Sequence, residues 1–166
     1  MFSFETGKST GRLTKARSFR QLALAPSGIR YYAGDFTRLQ YRRGISIAAE
    51  DTEGSTRWTR NFAGDENLTI ERLAASDADV CAAGRTTGAL HAQPHLTPGK
   101  NTDVYVMCVD AGGHRLFTRL FPAGGMQLVE MRVNNRGVCA LAFQTNDKKN
   151  PDVVLRRIDK SGNVLQ

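Results

Sequence analysis

Three cysteines (Cys81, Cys108, Cys139) and three histidines (His91, His95, His114) are the residues of this 166-residue chain best suited to covalent or metal chemistry. The cysteines are odd in number and lack CxxC spacing, which argues against a disulfide framework and against a zinc site. A thiol-reducing compartment is the simplest expectation. Cys81 and Cys139 each follow a valine, Val80 and Val138, at what reads as one point of a repeated hairpin. They are expected to be small buried strand residues, and Cys108 has no base partner to activate it. His91 and His95 stand four apart in "GALHAQPH" (88–95), a spacing that on a helix could hold a metal. Pro94 and the neighbouring Gly and Thr oppose a helix and no third ligand is near, so an exposed loop is the preferred reading. GxSxG, HExxH, Walker and EF-hand patterns are all absent, so no enzyme, cofactor or metal is expected.

The chain is 40% hydrophobic and 23% charged, an ordinary globular balance that speaks against wholesale disorder. No apolar run approaches the roughly 18 residues of a membrane span. The net charge of +7 favours acidic partners in general, through long-range attraction. The basic residues are scattered, however, and aromatics do not interleave with them as a stacking platform requires, so nucleic acid is a less favoured partner than protein. Residues 1–18 carry Lys8, Arg12, Lys15 and Arg17 against the single acid Glu5 and have no apolar core. They read as a solvated basic arm, not a secretory signal. With the unpaired cysteines, this points to an intracellular location, cytoplasmic or organellar such as mitochondrial, over a secreted one.

The elements that position these residues form a repeat. Asp51, Asp110 and Asp159 are each followed three residues later by glycine, in "DTEG", "DAGG" and "DKSG". An Asp that accepts hydrogen bonds from its own turn, followed by a Gly free to take positive φ, is hairpin chemistry. Before each Asp lies a strand with β-branched or leucine residues at period two: Ile45 and Ile47, Val104 and Val106, Val153 and Leu155. Each set reads as one buried strand face. After the turn, Trp58-Thr59-Arg60 and Phe62 match Phe117-Thr118-Arg119 and Phe121. The aromatics are expected in the core, and the arginines are expected to bond across units. A second type of hairpin alternates with the first, in "RQLALAPSGIRYYAG" (20–34), "IERLAASDADVCAAG" (70–84) and "VEMRVNNRGVCALAF" (129–143). No stretch carries a convincing helical period. The expectation is an all-β chain of about three four-stranded antiparallel units over residues 19–64, 65–124 and 125–166, a pattern typical of propeller blades.

The phrase "DVYVMCVDAGGHRLFTRLF" with "LVEMRVNNRGVCALAF" resembles the bacterial-type β-propeller repeat known as SBBP. Residues 20–84 share the pattern, with Trp58 at the tryptophan position, and residues 152–165 share its first half. The resemblance implies a β-propeller fold and an extracellular or surface-associated, non-enzymatic binding scaffold.

Propellers close with four to eight blades, so three leave open edges that invite pairing. A longer polypeptide, a second copy completing a six-bladed ring, or a different subunit would each close them. The expected function is a non-catalytic protein-interaction scaffold or accessory structural subunit of a larger assembly. The alternative is a module that binds a glycan or other small molecule on a propeller rim. The non-repeating aromatic and basic residues Tyr31, Tyr32, Arg38, Tyr41, Arg42 and Arg43, with Lys148 and Lys149, form the expected contact surface.

Overall fold

A computed structural model describes residues 19–37, 43–64, 66–97, 102–145 and 152–165. The basic arm, Arg38, Tyr41, Arg42, Lys148 and Lys149 lie outside the described residues. The described chain is all-β, three antiparallel sheets of four strands each. Sheet 1 contains β1 (Phe19–Leu24), β2 (Arg30–Thr37), β3 (Arg43–Glu50) and β4 (Thr56–Phe62). Sheet 2 contains β5 (Leu68–Ala75), β6 (Asp79–Thr86), β7 (Asp103–Asp110) and β8 (Arg115–Pro122). Sheet 3 contains β9 (Met126–Val133), β10 (Cys139–Thr145), β11 (Val153–Ile158) and β12 (Val164–Leu165). In every sheet the strands lie in chain order, as short hairpin connections require.

The Asp-x-x-Gly turns are built alike. Oδ1 of Asp51, Asp110 and Asp159 accepts two backbone N–H groups, from the residues two and four further on, at 2.8–3.0 Å. The glycines Gly54, Gly113 and Gly162 take φ of 90°, 82° and 84°, where a side chain would be strained. Asn134 performs the same duty in the β9–β10 turn, accepting from Arg136 and Val138.

Successive sheets pack face to face over two apolar layers. Between sheets 1 and 2 lie Tyr31, Ile45, Ile47, Trp58, Ile70, Val80, Tyr105 and Met107. Between sheets 2 and 3 lie Val104, Val106, Phe117, Leu128, Met131, Leu141 and Ile158. Strands with both faces covered, such as β6 and β7, are buried almost throughout. The recurrent Trp/Phe-Thr-Arg segments lock these layers. Trp58 Nε1 donates to Ala111 O at 2.7 Å, and Arg60 Nη2 reaches Gly112 O at 3.5 Å. One sheet further on, Arg119 Nε donates to Gly162 O at 2.5 Å. Each arginine thus reaches the Asp-x-x-Gly turn of the following sheet, the inter-unit bond expected from the repeat.

Candidate functional site

Two regions stand out: the outward faces of the first and last sheets, and a sulfur cluster between sheets 2 and 3. Both follow from the register. Strands β1, β5 and β9 each carry a bulge near the start, and Leu22, Leu73 and Met131 lie opposite Tyr32, Ala82 and Leu141. Phe19, Leu22 and Leu24 therefore correspond to Ile70, Leu73 and Ala75, and to Leu128, Met131 and Val133. The last two sets pack against the preceding sheet. No described sheet precedes sheet 1, and Leu22 and Leu24 are 62% and 64% exposed. Val153 and Leu155 correspond in the same way to Ile45 and Ile47 and to Val104 and Val106. Those four are at most 1% exposed, yet Val153 and Leu155 are 63% and 73% exposed.

Of the expected contact residues, Tyr32 lies on the outward face of sheet 1, half-buried, with its ring 5.5 Å from that of Phe19. Burial, then the charge of Glu50, raises its pKa, and its hydroxyl lies 3.5 Å from Glu50 Oε1. Arg43 is exposed at the start of β3, its backbone N–H donating to Asn67 Oδ1. Tyr31 does not belong to this surface. Strand alternation turns it to the opposite side from Tyr32, where it is fully buried against Trp58.

The cysteines also depart from expectation. Cys81 on β6 and Cys108 on β7 are directly opposed and joined as a disulfide, so an odd count did not exclude a bridge. Cys139 is a free thiol, fully buried, with its pKa pushed up to about 12 by burial. Nor do Cys81 and Cys139 share a repeat position. The β5–β6 turn closes from Ser76 N to Asp79 O, while the β9–β10 turn runs from Asn134 N to Val138 O, one residue longer. Cys81 consequently pairs with Ala74, whereas Cys139 pairs with Val133. One residue in a strand reverses the face, so Cys81 points forward and Cys139 points back toward it. The sulfurs of Cys81, Cys108 and Cys139 all lie within 4.8 Å of one another.

The long loop after β6 is not simply exposed. Leu90 is buried in the layer between sheets 1 and 2 and bridges to Gln93. His91, at φ 50°, places Nδ1 2.9 Å from Thr118 Oγ1 and turns its ring edge-on to Phe62. Burial, seconded by the charge of Arg115, lowers its pKa to about 4. His95 Nε2 instead lies 3.5 Å from Asp103 Oδ2, so the two histidines face different partners.

A cleft of about 500 Å³ opens beside β1, β5 and β9, lined by Arg20, Gln21, Glu71, Arg72, Arg85 and Gln127 among others. Its charges are spent on the fold. Arg20 pairs with Asp35 at 3.1 Å and Arg85 with Glu71 at 2.8 Å, while Arg72 Nε and Nη2 donate to Val129 O across to sheet 3. Among the described residues, no helix is long and apolar enough to cross a membrane. No protein-family model and no curated protein matches the chain.

Proposed function

We propose that the chain is a non-catalytic scaffold or accessory structural subunit, its three sheets acting as β-propeller blades that associate with further blade-like protein surface. One observation carries the reading. Val153 and Leu155 are exposed at repeat positions that are buried twice elsewhere, and Leu22 and Leu24 expose the complementary half of the same contact. Burying one such side chain is worth about 1.5–3 kcal/mol, and an open sheet face beside an open edge favours a protein partner over solvent. Rim-bound glycan or small-molecule recognition is the second reading. The cleft beside the first strands would serve it, but its arginines already have partners.

Light scattering on the purified full chain, with affinity capture from its native source, tests the proposal. Self-association or stoichiometric co-purification of another protein is expected, and both should weaken in Leu155→Asp and Leu22→Asp. A well-behaved monomer that emerges alone at micromolar concentration, unchanged by either substitution, overturns it.

A further inference from the structure

The sulfur cluster stands apart from the outward faces and does not depend on how the sheets are closed. Its three ligand atoms come from β6, β7 and β10, so the site exists only when sheets 2 and 3 are packed together. All three residues are at most 1% exposed, in a layer walled by Val106, Phe117, Leu128 and Leu141. No imidazole or carboxylate joins the group among the described residues. The donor set is therefore entirely soft, and it is dry.

We propose that in the reduced protein Cys81, Cys108 and Cys139 form a binding site for a soft monovalent cation of the Cu(I) type, a site that the Cys81–Cys108 disulfide closes. Thiolate donors select such ions, whereas structural zinc takes four ligands and three come together here among the described residues. Cys139 Sγ lies within 4.8 Å of both bridged sulfurs, and three sulfurs each about 2.3 Å from a central ion stand about 4 Å apart, so only Cys81 and Cys108 have to separate to admit the ion. Cys81 and Cys108 are register partners on one face of a hairpin, so side-chain rotation separates their sulfurs once the bond is broken. A dithiol reductant supplies the two electrons and two protons that turn the disulfide into two thiols, becoming a disulfide itself. The ion then replaces thiol protons, which leave to solvent. The apolar wall lowers the local polarity around the sulfurs, the role a hydrophobic shell plays around metal centres.

The full chain, reduced with a dithiol and freed of it without air, is titrated with Cu(I) against a chromophoric Cu(I) chelator. The expected result is one Cu(I) retained per reduced chain and none by the oxidised chain. Cys139→Ala should weaken retention by more than the roughly 10–100-fold that loss of an outer-shell partner costs, with circular dichroism reporting that the variant is folded. If that variant does not fold, X-ray absorption of the copper-loaded wild type decides, through a shell of three sulfurs and no nitrogen or oxygen. Complete loss of copper to the chelator, equal retention by a folded Cys139→Ala, a mixed-ligand shell, or preference for zinc would each overturn the proposal.

Discussion

The three Asp-x-x-Gly turns allow the contact between successive sheets to be measured apart from backbone strain. Gly54, Gly113 and Gly162 occupy one repeat position with nearly equal φ. Replacing any of them by alanine places a side chain in the left-handed region, at about 1–2 kcal/mol. The surroundings differ. A Cβ on Gly113 would lie 2.9 Å from Trp58 Cδ2 and 3.0 Å from Arg60 Cγ, and one on Gly162 3.0 Å from Phe117 Cβ. At Gly54 the nearest heavy atom, on Arg30, is 3.9 Å away. A rigid aromatic ring must shift in the first two cases, adding about 1–3 kcal/mol of overpacking. Gly54→Ala should therefore cost about 1–2 kcal/mol, and Gly113→Ala about 2–5 kcal/mol. Urea denaturation of the three variants, with equal m-values as the check on two-state behaviour, reads the difference directly. Equal losses at Gly54 and Gly113 would refute the idea that each aromatic packs on the next sheet's turn.

Two further outcomes follow from groups already described. His91 is held neutral in the folded chain, so the unfolded chain takes up its proton first as pH falls. Stability should be unaffected above about pH 6.5 and decline between there and about pH 4, by about 2 kcal/mol after allowance for partial exposure. His91→Gln, which does not titrate, should flatten that part of a pH series of denaturation midpoints; an unchanged slope would exclude His91 as its source. The Cys81–Cys108 bond spans 27 residues, so reduction should destabilise the chain by about 3–4 kcal/mol. A dithiol should lower the urea midpoint of the wild type but not that of the Cys81→Ala, Cys108→Ala double variant. A midpoint indifferent to reductant in the wild type would exclude the bridge.

What could be read from residue types alone was whatever a repeat enforces. The aspartate turns, the period-two strands and the cross-sheet arginines recur because each sheet meets its neighbour in the same way, and four antiparallel strands per unit follow from that pattern. Tyr31 departs from the expected contact surface because adjacent residues of a strand face opposite sides, which splits the Tyr31-Tyr32 pair between core and surface. The cysteine pairing was hidden for a subtler reason. Val80-Cys81 and Val138-Cys139 look equivalent, but the turn before Cys81 is one residue shorter, and only the register shows that these side chains oppose each other. For Leu90 and His91 the sequence points to an exposed loop, because local composition says nothing of the gap between sheets that they fill. Val153 and Leu155 sit six and four residues before Asp159, as Ile45 and Ile47 do before Asp51, and the expected buried face is corrected to an exposed one because no described sheet follows sheet 3 to cover it.

The aromatic–arginine lock also gives the molecule a direction. Side chains near the end of one sheet always grip the turn of the sheet that follows, from Trp58 to Ala111 and from Arg119 to Gly162. Stability in such a stack approaches a sum of nearest-neighbour couplings. Sheet 2 is coupled on both sides, whereas sheets 1 and 3 each have one described neighbour. Opening should accordingly begin at the flanks and reach β6 and β7 last, making the middle sheet the cooperative centre against which its neighbours fray.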